Sequence, residues 1–281
     1  INIVLYCGAT RYSIAKEIEM SLIKEINKIY ETGETDNVIM YRFETPKNKY
    51  VLKLKLRDVA DLVKNDLLES DIREILTTAV RKNNSKRDFL FINTPSGKPT
   101  SAEIQKIESQ SSYLASKIHD EIPNNVNICG SRIDIIGFAE TAILLGGQVY
   151  DSIRAWCKDA KVNYLRTTRL RQSNESIVSC EIRNCSDLEK VDFNEEHSHA
   201  IGHSLYVLKN KPPETLIIVD DEYTTGNTVF NLIDKLVSVY GIDKIKTVIM
   251  ASVLNIMSES DKDRLLKFCK DVGIDLKFVS L

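Results

Sequence analysis

The chain alternates between two periods of apolar residues, and the changes of period mark its elements. Residues 1–7 (INIVLYC) are apolar and β-branched and predict a strand. Ile14, Ile18, Leu22, Ile26 and Ile29 recur at helical spacing and predict an amphipathic helix, followed by a polar loop over 31–37. Residues 38–43 and 50–56 read as a β-hairpin. Over 58–81, Val59, Leu62, Leu67, Ile72, Ile75, Leu76 and Val80 predict a helix.

From about residue 88 the pattern becomes a regular alternation of strand and helix. A strand at 89–92 leads into the Pro- and Gly-rich turn 94–99 and a helix over 101–122. A strand at 133–138 leads into a helix starting near Glu140. Residues 163–208 are mixed and polar, with a strand-like piece at 176–182. A strand at 216–219 precedes a loop and a helix over 228–240 that Gly241 caps, then a strand at 247–254. A helix over 260–272 ends at Gly273, and 274–281 is the last strand. Such alternation predicts an α/β fold: a mostly parallel sheet flanked by helices around a Rossmann-like core, with a small N-terminal hood or subdomain. Ligands of such sheets sit beyond the carboxyl ends of the strands.

Composition narrows the partners. The 281 residues carry a net charge of -2, which gives no basic face for nucleic acid. No apolar run reaches the roughly 18–20 residues of a membrane span, and no signal-peptide pattern opens the sequence. The six cysteines show no disulfide spacing and read as reduced thiols, so a cytoplasmic location is expected.

The segment with the clearest chemistry is Leu216-Ile-Ile-Val-Asp220-Asp221-Glu222-Tyr223-Thr224-Thr225-Gly226-Asn227-Thr228. A buried strand ends in two adjacent acids, then a short loop of hydroxylated residues and glycine, then a helix. Gly226 permits close backbone approach and unusual φ. The amides of 224–228 and the helix dipole suit a phosphate, and Thr224, Thr225 and Thr228 add hydroxyl donors. Asp220 and Asp221 suit vicinal ribose hydroxyls and a hydrated Mg²⁺, which prefers a few carboxylates plus substrate oxygens. Gly137-Phe138-Ala139-Glu140-Thr141-Ala142 likewise places amides at a helix start; the alternative is a plain strand–turn–helix capped by Thr141.

Two further readings are weaker. Lys98, after Gly97, invites a P-loop, but the first glycine is missing and Pro99 replaces the required Ser/Thr. His197, His199 and His203, with Cys180 and Cys185 upstream, do not have a standard zinc spacing.

The 216–228 stretch resembles the phosphoribosyl pyrophosphate (PRPP) signature of type I phosphoribosyltransferases. That resemblance implies that Asp220 and Asp221 grip the ribose hydroxyls and the Mg²⁺, and that Thr224, Thr225, Gly226, Asn227 and Thr228 hold the 5′-phosphate. It makes Ala139, Glu140 and Thr141 the pyrophosphate loop; Lys98, like Arg81 and Arg87, reads as a PRPP (pyrophosphate) contact or as surface charge. Between the two loops the family carries a mobile flap that excludes water during turnover. Here it would bring Arg169, Glu196, His197 and His199 as catalytic residues: Arg169 to neutralise departing pyrophosphate, a histidine to donate a proton or contact the base.

Hypoxanthine-type members have an aspartate where this chain has Thr224, which looks more like the orotate-type pattern. The run R-x-N-x-x-K-R-D-F-L-F, G-K, GFAETA, TTR, EEHSHA and VDDEYTTGNT is similar to the phosphoribosyltransferase-like proteins of bacterial tellurium-resistance (stress-response) gene clusters. It implies a PRPP-dependent transfer to an unidentified base-like acceptor in making a nucleoside-like metabolite, by a protein that is commonly a homodimer. The expected domain runs over 58–281, with 1–57 as extension or hood. A non-catalytic PRPP sensor and a phosphate-binding nucleotide hydrolase are the alternatives.

Overall fold

The computed structural model describes residues 27–28, 38–44, 49–55, 76–80, 89–93, 104–123, 130–139, 141–168, 187–193 and 203–281. The chain falls into two compact units, Ile1–Thr94 and Pro95–Leu281. The strand expected at 1–7, most of the helix at 14–29, the loop 31–37, the turn 94–99 and the strand-like piece 176–182 lie outside the described residues.

In the first unit β1 (Asn27–Lys28), β2 (Val38–Glu44) and β3 (Lys49–Lys55) form an antiparallel sheet in that order. The expected hairpin is present, in register from Val38↔Lys55 to Glu44↔Lys49. Two helical expectations are corrected. Asn27–Lys28, the end of the helix expected at 14–29, pairs instead with Arg42 and Tyr41. The end of the helix expected at 58–81 is β4 (Leu76–Val80), antiparallel to β5 (Phe89–Asn93) in a separate two-stranded sheet. Thr77, Thr78 and Val80 are β-branched and stiff at χ1. A ladder partner in Phe89–Asn93 then outweighs a weak helical period. The strand at 89–92 is therefore not a member of the parallel sheet.

The second unit carries helices α1 (Ile104–Glu121), α2 (Ala142–Trp156), α3 (Asn227–Tyr240) and α4 (Glu259–Asp271). Its strands are β6 (Arg132–Gly137), β7 (Lys161–Arg166), β8 (Leu188–Phe193), β9 (His203–Leu208), β10 (Thr215–Tyr223), β11 (Thr247–Asn255) and β12 (Asp275–Ser280). Five of them form one sheet in the order β12-β11-β10-β6-β7, and every pairing in it is parallel. This is the expected α/β architecture. The stretch 163–208, read as mixed and polar with strand-like pieces, supplies most of the edge strand β7 and both strands of the antiparallel hairpin β8–β9. These strands carry polar residues, half-exposed in β7 and β8 and buried as His203 and Ser204 in β9, so they lack the continuous apolar run that makes β10 and β11 obvious.

Strand alternation divides the core. Ile136, Ile218, Val248 and Met250 pack with Leu232, Ile233 and Leu236 of α3, Leu265 and Cys269 of α4, and Val191 and Leu205 of the hairpin. Ile135, Ile217 and Ile249 alternate with these, are fully buried, and point to the other face, where α1 and α2 pack. Cys157 and Cys269 are buried free thiols, and burial pushes the latter up to about 12. At the amino edge of the sheet Arg132 holds Asp134 through two bonds of 2.9 and 3.0 Å, and Asn163 adds a third at 2.8 Å. Burial raises the Asp134 carboxyl despite these donors. This cluster ties β6 to β7 at the end opposite the one described next. No described helix is long and apolar enough to cross a membrane.

Candidate active site

The strand order reverses between β6 and β10. From β6 the chain crosses through α2 to β7 on one side; from β10 it crosses through α3 to β11 on the other. The two connections diverge and leave a crevice at the carboxyl ends of β6 and β10. Both motifs singled out in the sequence come to this crevice.

Asp220 and Asp221 enter from β10. The ladder with β6 stops at Val219↔Gly137, where Phe138 N also donates to Val219 O at 3.2 Å. β10 continues to Tyr223, supported on its other side by β11 through Asp220↔Ser252 and Glu222↔Leu254. The acids therefore lie inside the strand rather than after it, because β11 supplies ladder partners beyond residue 219. They are half-buried, and Asp220 Oδ1 accepts from Asp221 N at 2.9 Å. Alternation sends the two carboxylates to opposite faces of the strand. Tyr223 is 3% exposed, and its hydroxyl donates to Ile218 O at 2.7 Å. Burial, then the charges of Asp220 and Asp221, push that hydroxyl well above its ordinary value. It serves as a bolt under the acids and not as a proton source.

The loop after β10 turns through Gly226, at φ 69 and ψ 5 in the left-handed region that glycine adopts at no steric cost. Gly226 is the N-cap of α3, and Phe230 N makes the first helical bond to its carbonyl at 2.9 Å. The amides of 226–229 have no carbonyl one turn earlier; that of Asn227 reaches Thr225 Oγ1 at 3.4 Å, and the helix start carries the positive end of the dipole. Thr224, Thr225, Asn227 and Thr228 are half-buried around them. Arg264 of α4 holds the loop from behind: it donates to Thr225 O at 3.0 Å and to Asn227 Oδ1, with its guanidinium 5.8 Å from the Phe230 ring. Nothing in the sequence motif signals this residue.

The other wall is the turn from β6 into α2. A Cβ on Gly137 would lie 2.5 Å from Tyr164 Oη and 2.9 Å from Ala142 O, so glycine alone lets strand, helix and ring meet here. The Tyr164 hydroxyl donates to Ile143 O, and burial holds it up at about 12. Ala139 N donates to Thr167 Oγ1 at 2.7 Å and is thereby occupied. Thr141 begins the helix but makes no side-chain cap bond; its αR backbone does not present the hydroxyl to the first-turn amides.

The crevice thus unites Ala139 and Thr141 with Asp220, Asp221 and Thr224–Thr228. Lys98, Glu140, Arg169, Glu196, His197 and His199 lie outside the described residues, as do Cys180 and Cys185. Among the described residues no three His, Cys, Asp or Glu side chains gather as a metal cage.

A family described as phosphoribosyl transferase matches residues 75–281, well over half of the chain. The chain belongs to this family. It is accordingly a pentosyl-transferring enzyme, and the family match takes in β4 and β5 as well as the whole parallel sheet. No curated protein sequence matches it. Among solved structures it is similar to the adenine phosphoribosyltransferases of Saccharomyces cerevisiae (13% identity, 74% of this chain and 96% of that one, TM-score 0.42) and Giardia lamblia (15%, 75% and 97%, 0.41). The Trypanosoma brucei enzyme is similar at 14% identity, over 81% of this chain and 82% of that one, with a TM-score of 0.42. At these values the likenesses add nothing to the family match.

Proposed function

We propose that this phosphoribosyltransferase takes Mg²⁺·PRPP across the β6–β10 crevice and transfers its 5-phosphoribosyl group to a nitrogen of a base-like acceptor, releasing pyrophosphate. The observation that carries the reading is the meeting of an acid pair, a left-handed glycine loop and a helix start with a second helix start at the strand-order reversal. In this reading the amides and hydroxyls of Thr224–Thr228 hold the 5′-phosphate. Asp220 and Asp221 take the ribose hydroxyls, and Ala139–Thr141 lie beside the pyrophosphate.

A half-buried carboxylate of Asp220 or Asp221 suits a magnesium ion shared with the donor, since Mg²⁺ takes one or two carboxylates and completes its octahedron with water and substrate oxygens. When bound, it neutralises charge on the pyrophosphate. The bond from ribose C1 to the pyrophosphate oxygen breaks with its electron pair leaving on oxygen, the C1–N bond forms, and the acceptor's N–H proton is released. The described residues contribute by holding both ends of the donor and by electrostatics. Arg169, Glu196, His197 and His199 are assigned to the flap, and Lys98 and Glu140 to the donor.

The same reading takes 58–281 as the catalytic domain with 1–57 as a hood, and a cytoplasmic homodimer as the working form. The resemblance to tellurium-resistance proteins supports a nucleoside-like product. The test is release of pyrophosphate from PRPP in the presence of Mg²⁺ and a panel of purine, pyrimidine and pyridine bases. Release dependent on one class identifies the acceptor. PRPP binding with no release across the panel would favour a sensor, and nucleotide hydrolysis without PRPP a different ligand altogether.

Arg264 offers a separate check. Arg264→Met keeps the aliphatic stem over Phe230 but removes both bonds to the loop. Ribose 5-phosphate affinity is expected to fall about three- to tenfold, read by calorimetry, with the fold intact. Unchanged affinity would mean that the loop needs no support from α4.

A further inference from the structure

Thr167, in the TTR part of the family-like run, is 2% exposed and sits directly behind the turn that starts α2. Its hydroxyl oxygen accepts from Ala139 N at 2.7 Å and lies 3.1 Å from Nδ1 of His203. His203 is itself 2% exposed, stacked 5.4 Å from Phe193 and tilted against Phe138 at 6.0 Å by ring centroids. Whichever tautomer the imidazole adopts, the oxygen stands between the ring and the amide.

The surroundings fix this arrangement. Thr167 N donates to Gly137 O at 3.1 Å, which continues the β6–β7 ladder by one step. Thr168 and Ser204 exchange backbone bonds of 2.9 and 2.8 Å, which dock β9 on the end of β7. Phe193↔His203 is the last rung of the β8–β9 hairpin. Beyond that rung the sequence carries Glu196, His197 and His199. One hydroxyl therefore connects the last rung of this hairpin to the first residue of the turn assigned to pyrophosphate.

We infer that Thr167, backed by His203, is a positioning residue that sets the Ala139 turn for pyrophosphate. Its reach is specific, because a buried amide fixed at 2.7 Å cannot rotate toward a ligand. Pyrophosphate must then be met by groups other than Ala139 N. Without the hydroxyl, the buried Ala139 amide lacks its acceptor and the turn shifts to find another. The inference rests on the assignment of pyrophosphate to Ala139–Thr141 made above.

The experiment titrates the intact protein with Mg²⁺·pyrophosphate and, separately, with ribose 5-phosphate, which probes Thr224–Thr228. Thr167→Val removes the hydroxyl at nearly constant shape. It is expected to weaken pyrophosphate about tenfold and to leave ribose 5-phosphate within about twofold. Thr167→Ser restores pyrophosphate affinity, since it keeps the oxygen. His203→Phe keeps the ring stack and gives an intermediate loss for pyrophosphate. Equal pyrophosphate affinity in Thr167→Val and wild type overturns the positioning role. So does parallel loss of both ligands, which marks a merely structural one. A wild type that binds neither ligand overturns the functional reading itself, and wild-type binding of both separates that failure from the first.

Discussion

Asp221→Ala is expected to lower kcat/KM for PRPP by about 10²–10³ while the protein stays folded. The magnitude is that of removing one preorganised electrostatic contact in the transition state. The fold should survive because the ladder of β10 with β11 uses backbone groups, and the amide that Asp220 Oδ1 accepts from belongs to the Asp221 backbone. Removing one of two adjacent like charges also relieves repulsion. Steady-state pyrophosphate release at saturating acceptor, beside a thermal melt, checks both halves. An unchanged rate with an unchanged melt would remove Asp221 from the donor site.

The second large effect belongs to Gly226→Ala. A non-glycine residue at φ 69 carries about 1–2 kcal/mol of backbone strain. The new Cβ would also stand 2.5 Å from Leu265 Cδ1 and 2.8 Å from Met257 Cε, both in the core. These atoms end flexible side chains and yield in part, so crowding adds about 1–2 kcal/mol. The sum, about 2–4 kcal/mol, is read from denaturant unfolding. Phosphate affinity should fall as well, because the loop cannot relax without turning its amides away. A loss of stability no larger than the strain, about 1–2 kcal/mol, would show that crowding against Leu265 and Met257 contributes nothing at Gly226.

These two residues were legible from the sequence for a physical reason. Leu216–Val219 is an uninterrupted apolar run, which marks a strand buried on both faces. Only glycine serves a helix start in the left-handed region with no room for a Cβ. The end of β10 was harder: acids after an apolar run look like a loop, and only the β11 partners extend the strand to Tyr223. Thr167, His203 and Arg264 were not legible as supports. Their partners lie 28, 36 and 39 residues away in sequence, respectively Ala139, Thr167 and Thr225, and no local period encodes such pairs. Thr77 and Thr78 show the reverse error, where apolar spacing at helical period concealed a strand.

Calorimetric titration of PRPP with Mg²⁺ into the wild type and into Asp220→Asn/Asp221→Asn tests the central claim most directly. The account predicts saturable one-site binding by the wild type and loss of at least about tenfold in affinity by a folded double variant. Equal binding by both proteins would contradict it, because the donor would then sit somewhere other than the crevice between β6 and β10.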